Sequence, residues 1–327
     1  MQNNLESTNS IDVVIPVYNG QDYILQALHS IEQQTYAPSK IIVVDDGSTD
    51  KTPDIVTGYR SKIPIKYIRK RNGGLSSARN AGIAHSTSKY IAFLDADDEW
   101  MPNKLTKQLN VFINTNYENL GAVYSKYRII DSNGELTHKH YVFEPDPSIR
   151  GNIYARLFEA NKIAGSGSGV LVRRDCFDDV GLFDETLHAC EDWDMWLRLA
   201  SRYEFDFVPE VLVKIRRHHE NMQRDTSMMF RNQLQFYNKW LPLAAHHSDC
   251  LSALRLNIAS YLISYLPRIN KISLAIDLLS ETSRELLWMK YDQSPYLFLL
   301  SMLPEVALTL FKTHIQNTRR LLKNIAL

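Results

Sequence analysis

The stretch Ile11-Asp12-Val13-Val14-Ile15-Pro16-Val17 is a short apolar run that ends at Tyr18-Asn19-Gly20. Residues 21–34 follow it with helical spacing, so the order is strand, turn and helix. The same order repeats through the first hundred residues, with strands predicted at 40–44, 65–68 and 90–94 and helices at 52–60 and 75–85. This alternation is typical of parallel βαβ units and predicts an α/β fold with helices on both faces of the sheet.

After residue 94 the pattern becomes a mixture of helices and strands. Helical spacing occurs at 103–114 and 192–201, and strand-like runs occur at 122–130, 169–173, 205–208 and 211–215. From Ser227 onward the spacing is helical, interrupted by Pro242, Pro267, Pro295 and Pro304. We therefore expect two domains, one of residues 10–225 and a helical C-terminal one of residues 226–327.

The composition is that of a packed globular protein, with 44% apolar and 23% charged residues among 327. Basic and acidic residues both number 37, and this balance disfavours a protein that coats nucleic acid through its overall charge. The distribution is uneven, because residues 1–225 carry 26 basic and 31 acidic side chains and residues 226–327 carry 11 and 6. The two parts are therefore expected to perform different tasks.

The terminal segments and the cysteines predict a cytoplasmic protein. Residues 1–10 lack the basic and apolar regions of a secretory signal, and the longest uncharged stretches, 256–267 and 293–304, are too short to span a bilayer. The three cysteines (Cys176, Cys190 and Cys250) have no C-x-x-C spacing, which predicts neither a zinc site nor disulfides.

Three of the predicted strands end in polar clusters, namely Tyr18-Asn19, Asp45-Asp46-Gly47-Ser48 and Asp95-Ala96-Asp97-Asp98-Glu99. Ligands of open α/β sheets bind beyond the carboxyl ends of the strands, so the clusters are candidates for one binding site. Helix capping is the alternative for a single cluster, because helices are predicted to begin shortly after Asp50 and Asp98.

Residues 95–99 indicate a metal site, since their four carboxylates repel one another unless a cation or hydrogen-bond donors offset the charge. Asp95 and Asp97 are two residues apart, and in an extended segment they project to the same side. Such a pair suits Mg²⁺ or Mn²⁺ that also binds the phosphate of a nucleotide. Residues 165–169 match neither a P-loop nor G-x-G-x-x-G, which disfavours a P-loop kinase or a nicotinamide dehydrogenase.

A second carboxylate group, Glu191-Asp192-Trp193-Asp194, opens a predicted helix. Asp194 lies four residues before Arg198, which predicts an ion pair, whereas Asp192 has no cation at this spacing. An unpaired aspartate among tryptophans suits a general base, because desolvation raises its pKa. A helix-start acid is the alternative.

Two adjacent histidines, His218 and His219, follow the last strand-like run, next to Arg216 and Arg217. Adjacent side chains of an extended chain point in different directions, so at most one histidine is expected to share the site. One interpretation is a metal ligand or pyrophosphate contact with an arginine adding charge, and the other is a pair of solvated loop histidines.

The order of these segments resembles the family-2 glycosyltransferases, inverting sugar transferases with the Rossmann-like GT-A fold, over about residues 10–222. The segments that carry the resemblance are 14–19 (VIPVYN), 44–50 (VDDGSTD), 72–82 (NGGLSSARNAG), 93–98 (FLDADD), 180–185 (VGLFDE) and 191–194 (EDWD). The resemblance implies a mixed, mainly parallel sheet between helices, to which the helical residues 226–327 form an extension.

The resemblance also implies roles for individual residues. A UDP-sugar donor would be bound by Pro16, Tyr18, Asp45, Asp46, Asn72, Arg79, Asp95, Ala96 and Asp97. Tyr18 would lie against the uracil ring, Asp45, Asp46 and Arg79 around the base and ribose, and Asp95 at the ribose or diphosphate. Asp97 and His218 would hold Mn²⁺ or Mg²⁺, Asp192 would be the catalytic base, and residues 166–169 would lie near the acceptor. The doubled histidine departs from the family's single one and leaves His218 and His219 as alternatives.

The expected reaction is transfer of a sugar to a hydroxyl of a saccharide or a lipid-linked saccharide, in the synthesis of surface polysaccharide or lipopolysaccharide. Asp192 would take the proton of the hydroxyl, and one displacement at the anomeric carbon would invert its configuration. A sugar nucleotidyltransferase and a non-catalytic sugar-nucleotide binding module are the alternatives.

The C-terminal part has two interpretations. Its basic surplus and the apolar run 296–303 fit either a packed helical subdomain or peripheral contact with an anionic membrane at the inner face of the cell membrane. The donor sugar, the linkage and the oligomeric state are not encoded in any motif of the sequence.

Overall fold

The computed structural model describes residues 9–137, 142–143, 146, 148–163, 165–219, 221 and 225–265. The predicted helix breaks at Pro267, Pro295 and Pro304 and the apolar run 296–303 lie outside these residues. The described chain forms two compact units. The first comprises the chain up to Leu157 together with Asn161–Gln233, and the second comprises Phe158–Ala160 together with the described residues from Leu234 onward.

The first unit begins with alternating strands and helices. They are β1 (Ile11–Val17), α1 (Ile24–Glu32), β2 (Lys40–Asp45), α2 (Thr52–Gly58), β3 (Ile65–Arg69), α3 (Leu75–His85) and β4 (Tyr90–Phe93). The four strands lie in the order β3-β2-β1-β4 and pair in parallel. The predicted βαβ alternation is confirmed.

The remaining strands of this unit make the sheet mixed. The elements are β5 (Glu99–Trp100), α4 (Lys104–Asn114), β6 (Leu120–Ile130), β7 (Val142–Phe143), α5 (Tyr154–Leu157), β8 (Leu171–Arg173), α6 (Cys176–Val180), α7 (Glu191–Ala200) and β9 (Glu204–Arg216). From β4 the sheet continues through β8, β6 and β9 to β5, and β7 pairs with β6. β8 is antiparallel to both neighbours, whereas β6 and β9 are parallel.

Residues 205–208 and 211–215 were expected to be two strands, and this prediction is wrong, because both runs belong to β9. Ser125 of β6 pairs with Val208 and Lys126 pairs with Val211, so Pro209 and Glu210 are skipped in the register. A bulge is a position where a strand tolerates proline, which has no N–H for the ladder. In the sequence this bulge appears as a break between two apolar runs, which led to the prediction of two strands.

The run 169–173, expected to be one strand, contains two structures. Residues Gly167–Gly169 form a single turn of 3₁₀-helix, and β8 starts only at Leu171. The two-residue strands β5 and β7 and the short helices α5 and α6 were not predicted, because elements of this length have no measurable periodicity.

The parallel strands form the centre of the core, and all seven residues of β1 are buried. Helix α3 packs directly against this strand at Gly82. A Cβ atom added to Gly82 would lie 2.2 Å from Cγ1 of Val14, a distance that only a shift of the helix could relieve. Glycine therefore sets the distance between α3 and the strand whose end carries Tyr18.

The described residues after 225 are helical, with α8 (Thr226–Ala244) and α9 (Ser248–Tyr265). Pro242 was expected to break the helix, and this prediction is wrong, because Pro242 lies inside α8, which continues to Ala244. Within the second unit, the hydroxyl of Tyr237 donates to Asn257 Oδ1 at 2.5 Å. The domain boundary near residue 225 remains a prediction. No helix in the described part of the chain is long and apolar enough to cross a membrane.

Candidate active site

The polar clusters at the strand ends lie along one edge of the sheet. The neighbouring strands β2, β1 and β4 run in parallel, so their carboxyl ends lie side by side, and Pro16 pairs with Val44 close to this edge. Tyr18 follows β1, and 53% of its surface is exposed. Since an aromatic ring offers a large flat contact area, Tyr18 is available to pack against a planar ligand.

Asp45 ends β2 and is fully buried. Its Oδ1 accepts the backbone N–H of Ser48 at 2.7 Å, and its Oδ2 accepts the hydroxyl of Tyr67 at 2.5 Å. Burial and the charge of Asp45 raise the pKa of the Tyr67 hydroxyl, which keeps it protonated as the donor. Asp45 therefore holds the loop after β2 against β3.

Asp46, the next residue, organises the loop that leads into α3. Its carboxylate accepts the backbone N–H groups of Gly73 at 3.0 Å and Gly74 at 2.7 Å, and Lys70 Nζ donates to it at 2.7 Å. Asn72 is exposed at the tip of this loop. Asp45, Asp46 and Asn72 thus lie at the same sheet edge, and their contact with a nucleotide remains a prediction.

Arg79 of α3 joins two carboxylates that are distant in sequence. It is fully buried; its NH1 group donates to Glu191 Oε1 at 2.8 Å and its NH2 group donates to Asp95 Oδ1 at 2.8 Å. NH2 also donates to Ser166 Oγ at 2.7 Å. The two carboxylates raise the pKa of Arg79 against the effect of burial, so the guanidinium stays charged. Arg79 therefore links the end of β4 to the start of α7.

Asp95 and Asp97 do not lie in an extended segment, and the expectation that their side chains project to the same side for that reason is wrong. The backbone N–H of Asp98 donates to the carbonyl of Asp95 at 3.0 Å, which closes a turn. Asp95 reaches Arg79, and Asp97 reaches His218. The turn forms because Asp98, which is buried, accepts hydrogen bonds from Ser168 Oγ at 2.6 Å and from the Arg216 backbone N–H at 3.0 Å.

Asp97 and His218 form a pair at this turn. His218 Nε2 lies 3.0 Å from Asp97 Oδ2, and the same oxygen accepts Asn221 Nδ2 at 3.2 Å. Burial and the charge of Asp95 raise the pKa of Asp97, while the histidine lowers it. His219 is exposed. Of the two histidines, His218 is the one that the structure brings to Asp97.

Arg216 is a structural residue and does not present its charge to a ligand, contrary to one interpretation of the sequence. It is 3% exposed, its Nε donates to the carbonyl of Asp97 at 2.9 Å and its NH2 donates to Glu99 Oε1 at 2.5 Å. Its guanidinium also lies 4.9 Å from the ring centroid of Tyr23, whose ring packs against His218 at 4.9 Å. Arg217 is exposed.

The chemistry of these side chains fits a divalent cation. Among the described residues no group of three or more His, Cys, Asp or Glu is arranged as a ligand set. Asp97 and His218 nevertheless bring one carboxylate and one imidazole together, 3.0 Å apart, and the charge of Asp95 beside them is negative, as a cation site requires. Two protein ligands are what Mg²⁺ or Mn²⁺ needs when water and phosphate complete its coordination.

Asp192 lies in the first turn of α7, beside the glutamate that Arg79 holds. It is half-buried, Asn161 Nδ2 donates to its Oδ2 at 3.3 Å, and the backbone N–H of Trp193 donates to its Oδ1 at 2.7 Å. Burial raises the pKa of Asp192 above its usual range, and the charge of Arg79 opposes this rise. Partial exposure, a raised pKa and a weakly held Oδ2 are properties of a general base.

The residues next to Asp192 differ in their surroundings: Asp194 forms an ion pair, Glu191 has a raised pKa, and Cys190 has a left-handed backbone. Asp194 is fully buried and makes the predicted ion pair with Arg198 at 2.9 Å, so that prediction is confirmed. Glu191 is 5% exposed, and burial together with Asp192 raises its pKa to about 7 despite Arg79. Cys190, the preceding residue, has a left-handed backbone with φ of 62°.

The loop 165–169 contacts Arg79 through Ser166 and the Asp95–Asp98 turn through Ser168. Ser166 has an unusual backbone, with φ of 56° and ψ of −157°, and its hydroxyl accepts Arg79. Such strained conformations persist only where surrounding contacts hold them, and they are frequent at functional sites. Ser168 Oγ accepts the backbone N–H of Asp95 at 3.1 Å. This loop is therefore part of the site's framework.

The family model described as Glycosyl transferase family 2 matches residues 12–181, which is more than half of the chain. The chain belongs to glycosyl transferase family 2. An uncharacterized glycosyltransferase of Rickettsia prowazekii is 35% identical over 228 residues, which are 69% of this chain and 69% of that protein. A second, from Rickettsia typhi, is 36% identical over 231 residues with the same coverage of both.

A solved structure supports the fold of this family-2 glycosyltransferase. The crystal structure of residues 1–349 of S. aureus TarS in complex with UDP-GlcNAc matches with a TM-score of 0.64, covers 85% of this chain and 81% of that chain, and is 19% identical. At this identity the likeness concerns the fold, and it confirms the expected GT-A class.

Sequence reasoning about this glycosyltransferase missed residues that hold the site together. They are Asn161, beside Asp192, and Asn221, beside Asp97. Ser166 belongs to the segment 166–169 that the resemblance places near the acceptor, and only its contact with Arg79 was not expected. Single serines and asparagines in loops carry no periodic or motif signal, and none of these pairs is closer than 31 residues in sequence. The strained positive φ of Ser166 is likewise visible only in three dimensions.

Proposed function

We propose that this glycosyltransferase moves a sugar from a UDP-sugar to a hydroxyl of a saccharide or a lipid-linked saccharide, with inversion at the anomeric carbon and with a divalent cation. The observation that carries the proposal is the Arg79 bridge. Through Asp95 and Glu191 it connects the turn that bears Asp97 to the helix start that bears Asp192. Arg79 thereby joins the segment of the proposed metal-binding carboxylate to that of the proposed general base. In the proposed transfer the base takes the proton of the acceptor hydroxyl and the divalent cation would offset the charge of the departing diphosphate.

The nucleotide is proposed to lie along the edge formed by β1, β2 and β4. Support comes from the exposed ring of Tyr18 and from the buried carboxylates that fix the surrounding loops, which bear Asn72 and Ala96. The fold likeness to TarS, whose crystal structure holds UDP-GlcNAc, supports a uridine nucleotide as the donor. In this arrangement Pro16, Asp45, Asp46 and Asp95 complete the donor site.

Asp97 and His218 are the residues that would hold Mg²⁺ or Mn²⁺. A divalent cation at this position supplies positive charge against the diphosphate, which becomes more negative as it leaves. The chain's own contribution is to fix Asp97 through Asn221, with the turn fixed by Ser168 and Arg216.

The proton of the acceptor hydroxyl passes to a carboxylate oxygen of Asp192. The freed oxygen forms a bond to the anomeric carbon on the face opposite the diphosphate, and the bond from that carbon to the diphosphate oxygen breaks. The electron pair leaves with UDP, and the single displacement inverts the configuration. Asn161 and the Trp193 N–H orient the aspartate, and partial burial raises its pKa toward the working range of a base.

The test is an assay of nucleoside diphosphate release from a panel of UDP-sugars, with Mn²⁺ and with the metal removed by a chelator. We expect UDP and no free pyrophosphate, a product of inverted anomeric configuration by NMR, and loss of release without metal. In a parallel incubation with UTP and a sugar 1-phosphate, release of free pyrophosphate would indicate a nucleotidyltransferase. A product of retained configuration or full activity in chelator would contradict inversion or metal dependence, respectively.

The proposal divides the chain into a catalytic domain of residues 10–225 and a helical domain of residues 226–327 that contacts an anionic membrane, as suits surface polysaccharide or lipopolysaccharide synthesis at the inner face of the membrane. The sequence of residues 226–327 supports it, with 11 basic and 6 acidic side chains. Full-length protein should co-sediment with vesicles that contain anionic lipid, and high salt should release it. Equal binding to neutral vesicles, or no binding, would contradict membrane contact through charge.

A further inference from the structure

A lysine side chain lies inside the core of the catalytic unit. Lys104, the first residue of α4, is fully buried. Its Nζ donates to Gln108 Oε1 at 2.8 Å, one turn along the same helix, and lies 4.1 Å from the ring centroid of Trp100. Burial lowers the pKa of this amine well below its usual range. A buried amine costs free energy of folding, so its presence calls for a reason other than filling space.

Two side chains in contact with Lys104, those of Gln108 and Trp100, donate hydrogen bonds to backbone carbonyls of the loop 165–169. The side-chain amide of Gln108 donates to the carbonyl of Gly169 at 2.8 Å and to that of Val123 at 2.9 Å. The indole N–H of Trp100 donates to the carbonyl of Ser168 at 2.8 Å. Because Lys104 donates to Oε1 of Gln108, it fixes the amide in the orientation that presents its N–H₂ to both carbonyls.

The side chains of Ser166 and Ser168 in the same loop contact residues of the candidate site. Ser168 Oγ donates to Asp98 and accepts the N–H of Asp95, which sets the turn that carries Asp97. Ser166 Oγ accepts a hydrogen bond from the NH2 group of Arg79, and Ser166 has the strained backbone described above. The loop therefore hydrogen-bonds to Gln108 and Trp100 through its backbone carbonyls and to Asp95 and Asp98 through the Ser168 side chain.

We propose that Lys104, Gln108 and Trp100 are positioning residues, which hold the loop 165–169 in its strained conformation and through it fix the Asp95–Asp98 turn and Arg79 for the transfer reaction. The inference rests on the proposed function for its kinetic consequences alone, because the positioning itself is a property of the folded chain. None of the three residues touches the reacting groups.

Hydrogen exchange of the full-length protein tests the positioning without any activity. Lys104→Met keeps an unbranched side chain and removes the amine, and Lys107→Met on the same helix is the matched control, since Lys107 is partly exposed and pairs with Glu210. We expect peptides that cover residues 165–170 to exchange about tenfold faster in Lys104→Met and unchanged in the control, with peptides of β1 and β2 unaffected. Unchanged exchange in the loop, or a uniform increase that includes β1 and β2, would overturn the proposal.

Trp100→Phe is the second variant, because it keeps an aromatic ring beside Lys104 and removes only the indole N–H that the loop accepts. It is used alongside Lys104→Met and stands in for it if that variant does not fold. Both variants should lower kcat by about tenfold and should weaken Mn²⁺-dependent UDP binding by calorimetry, because the turn that the loop fixes bears Asp97. A kcat equal to that of the Lys107→Met control would overturn the inference. If the unmodified protein transfers no sugar, the proposed function fails and hydrogen exchange still decides the positioning.

Discussion

At the residue scale, the buried Arg79 joins two parts of the candidate site, because its guanidinium donates to Asp95 at the end of β4 and to Glu191 at the start of α7. The ion pair of Asp194 and Arg198 was predicted and found, because residues four apart on a helix are neighbours by geometry. The bond from Arg79 to Glu191 joins residues 112 apart, and it exists only because α3 and α7 come together in the fold. The guanidinium of Arg79 contacts Asp95, Glu191 and Ser166. The role near the base and ribose that the family resemblance implies for Arg79 remains a prediction.

Arg79→Met should destabilise the protein strongly, because it removes the guanidinium that pairs with both Asp95 and Glu191. Glu191 is only 5% exposed, so its carboxylate would be left buried without a counter-charge. Removing one partner of a buried ion pair costs about 3–5 kcal/mol of the free energy of unfolding. Arg174→Met is the control, since Arg174 and Asp178 form an exposed pair worth less than about 1 kcal/mol. Urea unfolding of both variants measures the difference, and equal losses would show that the bridge contributes no more than a surface pair.

At the scale of elements, long strands and helices were predictable and short ones were not. β1 and α1 are recognisable from the sequence because the apolar run of the strand and the helical spacing of Ile24, Leu28 and Ile31 coincide with buried positions. The bulge in β9 and the turn at Asp95–Asp98 depend instead on bonds to other elements, such as the one from Ser168 to Asp98. The polar clusters lie at the carboxyl edge of the sheet, as predicted. The extended backbone assumed for Asp95–Asp97 was wrong, because these residues form a turn.

Gly82→Ala should force α3 away from β1, because the new Cβ would lie 2.2 Å from Val14 Cγ1 in the buried core. Overpacking of this kind costs about 1–3 kcal/mol. Gly58→Ala in α2 is the matched control, since no atom lies within 4 Å of its added Cβ, and it should be neutral or stabilising by up to about 1 kcal/mol. Thermal unfolding compares the two, and a Gly82→Ala variant as stable as the control would contradict the close packing of α3.

At the scale of the whole molecule, the family and fold followed from the order of the motifs, and the assembly of the site did not. His218 and Asp97 are 121 residues apart, so the choice between the two adjacent histidines required the fold. The zero net charge of the sequence combines an acidic surplus in residues 1–225 and a basic surplus in residues 226–327. The sequence carries no motif for the donor sugar or the acceptor, because these depend on loop shapes rather than on residue order.

The central claim is that Asp192 is the base of an inverting sugar transfer, and the most direct measurement is the turnover of Asp192→Asn beside its affinity for UDP. The amide keeps the size of the carboxylate and cannot take the proton, so kcat should fall by about 10²–10⁴-fold while UDP binding by calorimetry stays nearly unchanged. Asp178→Asn, at an exposed position of the same unit, should retain full turnover. An Asp192→Asn variant that transfers sugar at the unmodified rate would contradict the account.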